Sequence, residues 1–177
     1  MILKKNNIVL LGMTGVGKTT IGKILSQSTK FDFIDIDFEI EKAANMKISD
    51  FFARYGEKEF RKIEKKILIR NFLNKNNTVI STGAGILGDK EIIKFVKDES
   101  ISIFLDINLN TLTKRLKKNF RNRPMLASVN LEKTLKQMYK DRIEKYNNAD
   151  IKILVDGLSI NQIVSKIIEK LNYYEKN

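Results

Sequence analysis

The 177-residue chain contains no cysteine, no histidine and one proline. Without cysteine there is neither a disulfide framework nor a cysteine-rich zinc site, which is compatible with a reducing compartment. Without histidine there is no histidine general base. No apolar run approaches the length that a bilayer span needs. The stretch 1–7 carries Lys4 and Lys5 and leads straight into a short strand, not into the apolar core of a signal peptide. These features predict a cytoplasmic protein with no membrane partner, folded as one domain over 1–177.

Charge of one sign is in excess: the net charge is +12 and the pI about 9.7. A concentrated basic patch would suggest a polyanionic partner. Here lysine and asparagine are spread over every expected helix, and basic residues do not interleave with aromatic ones as single-strand binders require. The expectation is no nucleic-acid partner.

Gly12-Met13-Thr14-Gly15-Val16-Gly17-Lys18-Thr19 follows the apolar run 8–11 and precedes a helix-compatible segment, 20–28. It satisfies G-x-x-x-x-G-K-[ST] in the strand–loop–helix context that the pattern requires. In such a loop, backbone N–H groups and a helix N-terminus converge on phosphate oxygens, the lysine adds a point charge, and the threonine hydroxyl faces Mg²⁺.

Strand-like runs rich in β-branched or aromatic residues occur at 7–11, 32–36, 78–81, 101–105 and 151–155. Helical periodicity occurs at 20–28, 57–73, 110–116, 131–146 and 160–171, with a further helical run at 38–44. Strands alternating with helices predict an α/β fold, a parallel sheet covered on both faces with ligands at the carboxyl ends of its strands.

The segments after the strands carry the remaining candidates. Asp35-Ile36-Asp37, read as extended, sets two carboxylates on the same side, one for metal and one for substrate. The bland alternative is a helix cap at Asp37. Thr82-Gly83-Ala84-Gly85 offers backbone N–H groups for close approach, or is a plain turn. Arg61 lies three residues before Glu64, on one helix face, where the carboxylate can orient the guanidinium. Arg123-Pro124-Met125-Leu126 has the character of a flap between two helices. Taken singly, each arginine segment could be a surface salt bridge or a solvated loop.

In this order, the segments Gly12 to Thr19, Asp35-Ile36-Asp37, Gly56-Glu57-Lys58-Glu59-Phe60-Arg61-Lys62-Ile63-Glu64, Gly83-Ala84-Gly85, Arg123-Pro124-Met125-Leu126 and Arg142 resemble those of shikimate kinase. That family belongs to the nucleoside-monophosphate-kinase-like group of phosphate-loop kinases, and the likeness covers essentially the whole chain. It implies a three-layer P-loop kinase fold: a five-stranded parallel sheet in the order 2-3-1-4-5, helices on both faces, a substrate-binding helical region over about 38–73 and a lid over about 117–129.

The resemblance further implies an ATP- and Mg²⁺-dependent transfer of the γ-phosphoryl group to the 3-hydroxyl of shikimate by a monomer. Gly12, Gly15, Val16, Gly17, Lys18, Thr19 and Thr20 would hold the nucleotide phosphates, with Arg115 against the adenine. Thr19 and Asp35 would serve the metal. Asp37 would contact the shikimate hydroxyls and orient or deprotonate the attacking one. Arg61 and Arg142 would grip the carboxylate, with Gly83, Ala84 and Gly85 contacting the substrate through backbone N–H groups. Lys18, Asp37 and Arg123 form the expected catalytic set.

One departure is Ala84, which takes the middle place of three glycines usual in the family. At a positive φ its methyl group would cost roughly 1–2 kcal/mol; at a negative φ the cost is small. The alternatives are another small-molecule kinase of this architecture, such as a gluconate or nucleotide kinase, and a catalytically silent shikimate-kinase-like binding protein.

Overall fold

The computed structural model describes residues 5, 7–118 and 130–176. The strands are β1 (Asn7–Leu11), β2 (Asp32–Asp35), β3 (Thr78–Ser81), β4 (Ser100–Asp106) and β5 (Ile151–Leu154). All neighbouring pairs are parallel, in the order β2-β3-β1-β4-β5, as expected. Every residue of β1, β3 and β4 is buried, because helices cover both faces of the central strands. The edge strand β5 instead alternates buried and exposed positions.

The helices are α1 (Lys18–Thr29), α2 (Ile36–Ala44), α3 (Ile48–Asn74), α4 (Lys90–Glu99), α5 (Leu109–Lys118), α6 (Leu131–Asn147) and α7 (Ile160–Lys176), with a 3-10 turn at Ile86–Gly88. Helix α3 begins nine residues before the expected 57 and is broken at Gly56, whose φ of 76° and ψ of 176° are not helical. That backbone conformation is essentially restricted to glycine. It redirects the chain just before the Glu57 to Glu64 turn. Helix α4 was not expected, although Asp89 caps it by accepting hydrogen bonds from the N–H groups of Glu91 and Ile92. Ile92 and Val96 anchor its buried face.

The reading of 35–37 as extended is corrected. Strand β2 ends at Asp35, and α2 starts at Ile36. Asp35 is the N-cap, its Oδ1 accepting from the N–H groups of Asp37 (3.1 Å) and Phe38 (3.3 Å). Asp37 therefore lies in the first helical turn, where its charge also suits the positive end of the helix dipole. Ile36, fully buried, packs between the two carboxylates' positions into the core. Of the stretch expected to form the lid, Lys117 and Lys118 close α5, whereas 119–129 lie outside the described residues.

Candidate active site

The phosphate loop joins fully buried β1 to α1. Gly12, Gly15 and Gly17 all have positive φ, and α5 packs directly on the turn through Leu112 and Leu116 at Gly15. A loop so enclosed keeps its N–H groups fixed in direction, which is what anion binding asks of it. The Lys18 ammonium is buried inside the loop and donates to the carbonyl oxygens of Gly12 (2.8 Å) and Met13 (3.1 Å). Thr20, on the first turn of α1, is exposed. Arg115 stands on α5 next to Leu116 and does not line the large cleft described below.

Beside the loop, the Thr19 hydroxyl donates to Asp35 Oδ2 at 2.6 Å. Capping and this bond together hold Asp35 in one rotamer facing Thr19. A hydroxyl and a carboxylate are hard oxygen donors of the kind Mg²⁺ takes. No cluster of three or more acidic, histidine or cysteine ligands forms among the described residues. This donor set fits a Mg²⁺ ion that completes its octahedron with phosphate oxygens and water, and not one caged by protein alone.

A cleft of about 1090 Å³ runs from Thr14, Thr19 and Asp35 to a second group of polar residues: Asp37, Arg61, Glu64, the 83–85 loop and Arg142. Phe52, Phe60 and Met138 supply its apolar wall. The polar residues come from α2, α3, the turn after β3 and α6, and the fold alone brings them together.

Arg61 is held from two sides. Its Nη1 donates to Glu64 Oε2 at 2.6 Å, its Nη2 donates to Glu57 Oε1 at 3.1 Å, and its guanidinium carbon lies 5.2 Å from the centre of the Phe60 ring. Burial works against its charge, but Glu64 and Glu57 outweigh it and hold the proton more tightly than usual. Glu64 is 1% exposed, and that burial pushes its carboxyl above the ordinary range. The charges of Arg61 and Arg142 oppose the rise, and that of Asp37 adds to it. Glu64 Oε1 and Arg142 Nη1 are buried with no hydrogen-bond partner among the described residues. An orphaned acceptor and an orphaned guanidinium donor in one cleft match a ligand that carries both hydroxyl and carboxylate groups.

The glycines of the 83–85 loop are set by close approach. A methyl at Gly83 would collide with Glu64 Oε1 and crowd Asp37 Oδ1, and one at Gly85 would stand 2.5 Å from Arg61 Nη2. Among the described residues the non-glycine positions with positive φ are Lys30, Asn45 and Asn77, so Ala84 sits in ordinary backbone and its methyl group adds no strain. Thr82, buried, lashes the start of this loop to β1 by donating to the Leu10 carbonyl at 2.9 Å.

The structure thus brings Thr19, Asp35, Asp37, Arg61, Gly83, Ala84, Gly85 and Arg142 to one cleft, beside Lys18 in the phosphate loop. Arg123 falls outside the described residues. Two contributors escaped the reading of the sequence. Glu57, four residues before Arg61, has the spacing of a helix ion pair. Tyr146, four residues after Arg142 on α6, donates from its hydroxyl to the Ala84 carbonyl at 2.5 Å.

Comparison with known proteins agrees with this geometry. The family model for shikimate kinase matches residues 14–172. A shikimate kinase of Persephonella marina is 40% identical over 165 residues, covering 93% of this chain and 98% of that one. The structure of Acinetobacter baumannii shikimate kinase in complex with shikimate superposes with a TM-score of 0.91 at 27% identity, over 98% of this chain and 97% of that one. A gluconokinase of Sinorhizobium meliloti, at 14% identity and a TM-score of 0.63 over 99% and 97% of the two chains, shares the fold alone. Because the family match spans nearly all of the sequence and includes both ends of the cleft, the chain belongs to the shikimate kinase family.

Proposed function

We propose that the protein transfers the γ-phosphoryl group of ATP to the 3-hydroxyl of shikimate, giving shikimate 3-phosphate and ADP. The observation that carries this reading is a pair of half-buried guanidiniums, Arg61 held by Glu64 and Glu57 and Arg142 with its Nη1 unpartnered among the described residues, at one end of a cleft whose other end is the phosphate loop. A planar guanidinium fixed by Glu64 and Glu57 suits a small carboxylic acid, because two parallel N–H groups can meet two carboxylate oxygens. A nucleotide acceptor would need a base-recognition pocket in its place.

Phosphoryl transfer passes through a loose transition state, so positioning and charge stabilisation carry the rate. Backbone N–H groups of 12–19 and the Lys18 ammonium would hold the β- and γ-phosphates in line with the attacking hydroxyl. Thr19 and Asp35 would hold Mg²⁺, which would supply positive charge to offset that of the phosphates. Asp37, exposed to the cleft at the start of α2, accepts a hydrogen bond from the attacking hydroxyl and takes its proton as the new P–O bond forms. The 83–85 loop closes the acceptor side. Arg115 is assigned to the adenine and Arg123 to the transferred group by family resemblance. The enzyme acts as a cytoplasmic monomer in this reading; no helix among the described residues is long and apolar enough to cross a membrane.

The silent-protein alternative loses its one support, since Ala84 carries no backbone strain. A coupled assay of ADP release, offering shikimate, quinate, gluconate and nucleoside monophosphates side by side, tests the proposal. It predicts shikimate-dependent release that requires Mg²⁺. Faster release with gluconate or a nucleotide, or none with any acceptor, would overturn it.

A further inference from the structure

Tyr146 is the largest fully buried side chain among the described residues, and the proposed chemistry does not use it. Its ring stacks on Phe104 of β4, with centroids 5.0 Å apart and planes inclined by 26°. Phe104 is itself covered by the Lys152 ammonium, 5.4 Å from the ring centre, which is paired with Asp106 at 3.1 Å. The phenol therefore has one orientation, and its hydroxyl ends on the Ala84 carbonyl, 62 residues away in sequence, at 2.5 Å.

That contact bears on the acceptor end of the cleft. In a planar trans peptide the carbonyl of Ala84 and the N–H of Gly85 point in opposite directions. Drawing the carbonyl toward Tyr146 turns the Gly85 N–H the other way, on the residue whose α-carbon abuts the Arg61 guanidinium. Arg142 lies one helical turn before Tyr146 on α6, and its Nη1 is buried with no hydrogen-bond partner among the described residues. Burial pushes the phenol up to about 12, against the pull of Arg142 and Arg61, so the group remains a donor throughout the neutral range.

We infer that Tyr146 is a positioning residue for the acceptor carboxylate: its one buried hydroxyl fixes the Ala84–Gly85 peptide of the substrate loop, beside Arg61. The inference deepens the functional reading above and rests on it. Tyr146→Phe tests it most simply, because the ring stack on Phe104 survives and only the hydroxyl is lost. Loss of one hydrogen bond of ordinary strength predicts a rise of roughly fivefold in the KM for shikimate. The KM for ATP and kcat should stay within about twofold, as for an interaction made equally in ground and transition states.

Thermal unfolding with and without shikimate gives the second readout, each variant compared with its own ligand-free midpoint. The expected result is a smaller shikimate-induced rise for Tyr146→Phe and an unchanged rise with ATP. An unchanged shikimate KM or equal rises in both KM values would overturn the positioning role. Wild-type protein that neither binds shikimate nor releases ADP in its presence would overturn the functional reading itself, an outcome distinct from a wild type that works and a variant that works equally well.

Discussion

The two ends of the cleft are built on opposite plans. The phosphate end is a contiguous stretch, 12–19, made mainly of backbone and seated on a strand with no residue more than 3% exposed. The acceptor end draws on residues 37, 61, 64, 83–85 and 142, from four separate elements, and it is made of charged side chains balanced against each other in partial burial. Backbone N–H groups recognise phosphate whatever molecule carries it, so that end confers no choice among acceptors. In the proposed function the acceptor end makes the choice, because an unmatched substrate would leave Arg142 Nη1 and Glu64 Oε1 unsatisfied in a buried place. Mutations at the two ends should therefore fail differently.

The largest effect is expected at the phosphate end. Lys18→Ala removes the preorganised positive charge and should lower kcat by roughly 10²-fold or more, while leaving the shikimate KM within about threefold. A comparable rise in the shikimate KM would blur the division between the ends.

At the junction of the two, Asp37→Asn should also lower kcat by about 10²-fold, and added Mg²⁺ should not restore it. Asp35→Asn should raise the Mg²⁺ concentration needed for half-maximal rate and should be partly rescued by excess metal, because Asp35 faces Thr19. Asp35 also caps α2, a role that asparagine fills equally well, so the thermal midpoint of Asp35→Asn should stay close to that of the wild type. Rescue of Asp37→Asn by Mg²⁺, with none for Asp35→Asn, would reverse the two assignments.

Glu64 gives the acceptor end a pH signature. Its folded carboxyl lies above the ordinary 4.5, chiefly through burial, so the folded state binds its proton more tightly than the unfolded chain does. The stability this contributes is fully present below about 4.5 and is lost as pH rises through the folded value. Relative to Glu64→Gln, the wild type should thus lose thermal stability as pH is raised from the unfolded value toward neutrality. A difference that moved the opposite way would mean that Arg61 dominates burial at this site.

The smallest effect is expected from Ala84→Gly. With no positive φ to relieve, the change only adds freedom to the unfolded chain and should destabilise by about 0.4–1 kcal/mol with activity within twofold. A gain in shikimate affinity would show that the methyl group hinders the loop.

The sequence was informative where function follows from contiguous residues and poor where it depends on distant ones. Gly12 to Thr19 could be read directly, because spacing and flanks are the whole requirement, and the strand order followed from family resemblance. The Asp35-Ile36-Asp37 stretch misled because the Asp35 side chain competes for the backbone N–H groups that follow it, starting α2 one residue after the strand. Helix α3 was placed too late since Gly56 interrupts its periodicity, and α4 was missed despite the cap signal at Asp89. The contact of Tyr146 with Ala84 has no local signature, because it depends on how α6 docks against the sheet.

The claim that the acceptor end alone reads the carboxylate is tested most directly by Arg61→Lys, assayed against both substrates. Lysine keeps the charge but loses the fork that Glu64 and Glu57 orient. The expected result is a shikimate KM raised roughly tenfold or more, with the ATP KM within twofold and kcat little changed. Equal rises in the two constants would make Arg61 a structural partner of Glu64 and contradict the account.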